Sequence, residues 1–170
     1  GANNADSILD AAFNLVNTPV FNFDTATNLS DTFENSQMHH KVGAPLSMSM
    51  YNNTNCDDLF KNSTYIKHIY ITGSNNVTNW NEAFSGCVNL VKLEADMSYT
   101  GASFTNTFNR ADCLQSVDIP GISNNVDFSD CHSMTKEVLD ELFESLATVS
   151  GKTIDVSTTV GASTCDTTIA

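Results

Sequence analysis

The apolar residues of this chain keep two spacings at once. In the stretch NWNEAFSGCVNLVKLEA, Asn79 to Ala95, a single aromatic, Phe84, stands six residues before Leu90, which opens the alternation Leu90, Leu93, Ala95. The same offset recurs in NCDDLFKNSTYIKHIYI, where Phe60 precedes Ile66, Ile69 and Ile71. It recurs again in SFTNTFNRADCLQSVDI, where Phe108 precedes Leu114, Val117 and Ile119. Phe60, Phe84 and Phe108 are 24 residues apart, Phe33 lies 27 before Phe60, and Phe13 lies 20 before Phe33. Five copies at a period of 20 to 27 residues predict a solenoid, in which each repeat is one coil stacked on its neighbours.

Each coil divides into two walls. The apolar tail alternates as a strand with one buried face does. The inward pairs are Phe21/Phe23, Met48/Met50, Ile69/Ile71, Leu93/Ala95 and Val117/Ile119. The segments carrying the Phe, such as NWNEAF and NCDDLF, are too short and too rich in Asn and Asp for a long helix. They predict a turn that drops its ring into the core from the opposite, mostly irregular side. Three residues after the Phe stand Ser36, Ser63, Cys87 and, following Phe128, Cys131. Small side chains at one register point predict a tight internal site and buried, unpaired thiols.

After Cys131 the pattern changes to a helical period. Val138, Leu139, Leu142, Phe143 and Leu146 share one face, with Thr135 as N-cap, Met134 and Leu139 as a hydrophobic staple, and Gly151 as the stop. Ile154 and Val156 predict one more strand. The organisation expected is repeat coils over residues 1–131 and a helix–strand capping unit of the same solenoid over 132–170. The fold class is an α/β repeat solenoid: a right-handed coil with a short-stranded parallel sheet and a C-terminal capping helix.

The coils NLSDTF-ENS, NWNEAF-SGCVNLVKL and SFTNTF-NRADCLQSVDI, with the ending MTKEVLDELFESLATVSGKTIDVSTTVGASTCDTTIA, resemble a BspA-type leucine-rich repeat protein from Phe13 almost to the C-terminus. The second copy departs from the pattern, because MHHKVGAPLSMSM carries an insertion. The resemblance implies a surface-exposed protein used in adhesion, as in bacteria and protists, or a domain of a phage tail or virion. The chain starts in mid-pattern, so an excised piece of something larger is expected.

Composition narrows the partners. Twenty Asp and Glu against seven Lys and Arg give a formal charge of −13, which disfavours nucleic acid and anionic membranes. No apolar run approaches the ~20 residues of a membrane span, and the start lacks the basic-then-apolar signature of a signal peptide. Only 16% of residues are charged, so Asn, Ser and Thr supply the polar surface. The five cysteines show no Cys-x-x-Cys or Cys/His metal spacing.

Among candidate sites, His39 and His40 are adjacent and so point to opposite faces of an extended chain; a metal there needs a further ligand from Asp57, Asp58 or His68. An exposed insertion loop is the plainer reading. No nucleophile elbow, Gly-rich phosphate loop or His-Glu-x-x-His motif is present, so no catalytic residue, metal or cofactor is assigned. Four Asn-x-Ser/Thr sequons begin at Asn28, Asn52, Asn62 and Asn76, as many as chance supplies at this composition. The strand face is the informative surface. Its outward residues His68, Tyr70, Lys92, Glu94, Ser116 and Asp118 are the predicted binding set, with Tyr70 as anchor. The expected function is a non-enzymatic recognition or adhesion module, extracellular or exposed on a cell envelope or virion, binding a protein or glycan. The alternative is a structural piece of a larger assembly that docks on neighbouring subunits through the solenoid edges.

Overall fold

The computed structural model describes residues 20–39 and 43–165, so the Phe13 copy and His40 lie outside the described residues. The alternating tails form five short strands: β1 (Val20–Asn22), β2 (Leu46–Ser49), β3 (His68–Thr72), β4 (Lys92–Glu94) and β5 (Ser116–Asp118). They pair in parallel in sequence order, one strand per coil, so the fold is a parallel-strand solenoid. Leu46, Ile69, Leu93 and Val117 stack in one inward column, and Phe21, Met48 and Ile71 in the next. The expected pairs Phe21/Phe23 and Met48/Met50 therefore both start two residues late against Ile69/Ile71. A shift of two leaves every side chain on its own face, so Met48 and Met50 are buried as expected. Phe21 and Phe23 are only partly buried.

The back wall is more regular than expected. Every second residue donates its N–H to the next coil: Leu29 to Asn55, Asp31 to Asp57, Phe33 to Leu59 and Asn35 to Lys61, at 2.7–3.0 Å. Coils two and three repeat the same pattern. The turn requires left-handed backbone two residues before and two after each Phe, at Asp31 and Asn35, Asp58 and Asn62, Glu82 and Gly86, Asn106 and Arg110. Asn, Asp and Gly tolerate that conformation best, which is why the segments around each Phe are rich in them.

Phe33, Phe60, Phe84, Phe108 and Phe128 are all fully buried and form a column of near-parallel rings with centroids 4.6–6.0 Å apart. Ser36, Ser63, Cys87 and Cys131 lie buried beside it. Ser63 Oγ donates to the Phe33 carbonyl of the preceding coil, and Cys87 Sγ to that of Phe60 at 3.1 Å. All five cysteines are unpaired, and Cys56, Cys87 and Cys131 are buried.

In the coil after β5, the helix α1 (Lys136–Ser145) covers residues 140–142, which lie 24 beyond β5, where a sixth strand would fall. It docks on that edge: Gly121 N–H donates to the Ser145 carbonyl and Ala147 N–H to that of Ile122, both near 3 Å. Leu139, Leu142 and Phe143 are buried, with Val138 and Leu146 packed partly against the core. Thr135 is the N-cap residue, but its side chain makes no capping bond, and the helix ends at Leu146 rather than at Gly151. The strand predicted at Ile154 does not extend the main sheet. β7 (Ile154–Asp155) pairs instead with β6 (Val126–Asp127) in a separate two-stranded sheet.

A polar ladder lines the corner between strand face and back wall. Asn28, Asn55, Asn79 and Ser103 occupy equivalent positions in successive coils. Each Asn side-chain oxygen accepts the N–H two residues on, and Asn55 Nδ2 donates to Asn28 Oδ1 at 2.9 Å. The sequon residue Asn28 is thus part of the frame.

Candidate binding face

Parallel pairing sets the outward residues of β3, β4 and β5 in two columns. His68, Lys92 and Ser116 form one, and Tyr70, Glu94 and Asp118 the other. All six predicted residues are therefore on one face, as the alternation implied. The core residues Ile69, Leu93 and Val117 hold the strands from behind, so the outward side chains stand on a fixed backbone.

Their chemistry divides that face. Glu94 joins the columns: His68 Nε2–H donates to Glu94 Oε2 at 2.7 Å, and Lys92 Nζ lies 3.0 Å from Glu94 Oε1. Partial burial alone would push the Glu94 carboxyl up, but the hydrogen bonds from His68 and Lys92 outweigh it and hold the group below its ordinary value. Glu94 is therefore a charged clamp that orients its two neighbours. Tyr70 stands beside it, 42% exposed, on the rim of a hollow of about 160 Å³ shared with Glu94, Asp96 and Asp118. Ser116 is half-buried and lines neither this hollow nor the groove described next.

Sequence reasoning missed a larger groove at the other end of the same strands. It has a volume of about 410 Å³ and is lined by His39, Tyr65, Lys67, Val91, His68 and Lys92, with Gly43 and Ala44. The His39 and Tyr65 rings lie 4.3 Å apart, inclined at 33°. Tyr65 and Lys67 flank the buried Ile66, but they share the odd positions of the inward Ile69 and Ile71, so the strand alternation carried upstream would have pointed both at the core.

The predicted His39–His40 pair falls partly outside the described residues, and His39 is engaged with the Tyr65 ring. Among the described residues no group of three or more His, Cys, Asp or Glu is arranged to hold a metal ion. No described helix is long and apolar enough to cross a membrane. Comparison of the chain with family models, curated proteins and solved structures finds no match, so its functional reading rests on this geometry.

Proposed function

We propose that this protein is a non-enzymatic recognition module, exposed on a cell envelope or particle, which binds a protein or glycan through the face of β3–β5. One observation carries the reading: an exposed aromatic, Tyr70, stands on a rigid sheet beside the charged clamp of His68, Glu94 and Lys92. Aromatic anchors bordered by polar groups hold much of the energy of recognition surfaces. A backbone fixed on both sides presents them with little ordering cost. The low charge content and the Asn/Ser/Thr-rich surface suit an exposed location. We read the coils as leucine-rich-repeat-like, of the BspA type, and α1 as the unit covering the last open core of the solenoid.

The test is binding of the labelled chain to glycan arrays and to intact cells, comparing wild type with Tyr70→Ala. The variant should bind tenfold or more weakly, a loss of about 1–3 kcal/mol, with an unchanged melting temperature because the ring faces outward. Thr105→Ala, on the exposed back wall, should bind as wild type does. Unaltered binding of Tyr70→Ala, or its unfolding, would overturn the reading.

A further inference from the structure

We propose that the groove beside the N-terminal ends of β3 and β4 is a subsite for an acidic sugar, a ring bearing a carboxylate. This rests on the glycan-binding reading above and names the ligand class.

Charge distribution is the first support. The chain holds 20 acidic against seven basic residues, yet among the described residues the lining of this groove includes Lys67, Lys92, His39 and His68 and no Asp or Glu. Two ammonium groups, Lys67 and Lys92, gathered into one concavity of an acidic protein raise the local concentration of an anion, and the two imidazoles add polar ring nitrogens beside them. Glu94 stands behind the rim and is saturated by His68 and Lys92. It fixes the direction of both side chains and does not line the groove itself.

The second support is the floor. Tyr65 and His39 form a tilted aromatic pair, and Val91 supplies an aliphatic wall. A pyranose presents one face of C–H groups that packs on such a surface, while its hydroxyls and carboxylate reach the rim. The volume of about 410 Å³ lies at the lower end of the ~300–1,000 Å³ usual for small-ligand sites, which suits one or two sugar rings. A ring also loses less conformational freedom on binding than a flexible acidic peptide, so the small rigid anion is favoured.

Ligand-observed NMR on the whole chain, with sodium glucuronate and N-acetylneuraminate as probes and glucose as neutral control, tests the assignment. The acidic sugars should bind at least tenfold more tightly than glucose. Tyr65→Ala and Lys67→Met should each weaken them tenfold or more, and Tyr70→Ala should not. Lys67→Met keeps most of the aliphatic stem of an exposed side chain, so it remains informative if Tyr65→Ala lowers stability. Equal binding of glucose, or no binding of either acidic sugar, overturns the inference. A polyglutamate peptide bound through Tyr65 and Lys67 in place of the sugars also overturns it. If sugar binding is lost in Tyr70→Ala and kept in the groove variants, the subsite is wrong and the strand-face reading stands. If the groove variants lose the sugars while Tyr70→Ala leaves every partner unaffected, the subsite stands and the wider reading falls.

Discussion

Cys87 fills the register point that Ser63 fills one coil earlier, and both reach the carbonyl of a Phe in the coil behind them. The equivalence follows from size: a thiol and a hydroxyl are both small donors, and the space between Phe rings admits little more. Burial has a consequence for ionisation. It pushes the Cys87 thiol up to about 12, against a weaker opposing effect from a backbone hydrogen bond, and raises Cys56 and Cys131 as well. An unfolded thiol ionises from about pH 8.5 upward, whereas the folded ones keep their protons there. The folded state then binds more protons than the unfolded state, so stability is intact below about pH 8.5 and falls as pH rises beyond it. Urea denaturation at pH 7.5 and pH 10 should show a lower midpoint at the higher pH, with Cys87→Ala reducing the difference. A midpoint that does not move, or rises, would mean that these thiols are accessible to solvent in the native fold.

At the scale of elements, α1 depends on the solenoid that it packs against. Ten residues fall short of the ~12–15 that an isolated helix needs in water, and Thr135 contributes no side-chain cap. Its stability comes from Leu139, Leu142 and Phe143, buried in the shared core. A peptide of residues 132–150 should therefore show little helical circular dichroism. In the whole chain, Leu142→Ala should cost about 2–5 kcal/mol and lower the melting temperature of the whole chain, not of the helix alone. A helical peptide, or a variant that loses helix signal while the sheet melts unchanged, would show α1 to be autonomous. The helical period was legible because five apolar residues share one face, but its end was not. Gly151 is an obvious stop signal, while the chain actually leaves the helix at Leu146 to let Ala147 bond Ile122. The strand face was legible for the same reason as the helix: alternation fixes which side chains point outward whatever the register. Register itself was not: Phe21 and Met48, each expected to open its inward pair in the column of Ile69 and Leu93, both stand one column on, with Ile71. The groove at Tyr65 and Lys67 escaped because a concavity depends on how neighbouring coils are offset, and the alternation within one coil carries no such information.

For the whole molecule, stacking identical coils brings like charges into columns. Successive strands lie about 4.8 Å apart, so an acidic residue repeated at one register point meets its copy well within the ~10 Å screening length at 0.1 M salt. Asp127 and Asp155 are direct partners across β6 and β7, and Asp155 is kept ionised by hydrogen bonds from the Ser157 backbone and side chain. On the back wall, partial burial and then the neighbouring Asp58, Asp31 and Glu82 push the Asp57 carboxyl up, so ionising it opposes folding at neutral pH. Lys61 relieves part of this, 2.6 Å from Glu82 and 3.2 Å from Asp58, but a formal charge of −13 leaves repulsion in excess. Salt weakens those repulsions more than it weakens the few ion pairs, so the melting temperature should rise between ~10 mM and ~0.5 M NaCl. Relief of about 1 kcal/mol corresponds to roughly 2–4 °C for a chain of this size. Sodium chloride is the appropriate salt, because sulfate also strengthens apolar burial and would raise the melting temperature of a neutral protein. Neutralising one member of the cross-strand pair with Asp155→Asn should flatten the salt dependence, since an amide oxygen can still accept the Ser157 N–H while the charge is gone. A melting temperature that falls with NaCl would instead mean that the ion pairs of Lys61, Lys92 and Lys136 stabilise the coils more than the acidic columns strain them.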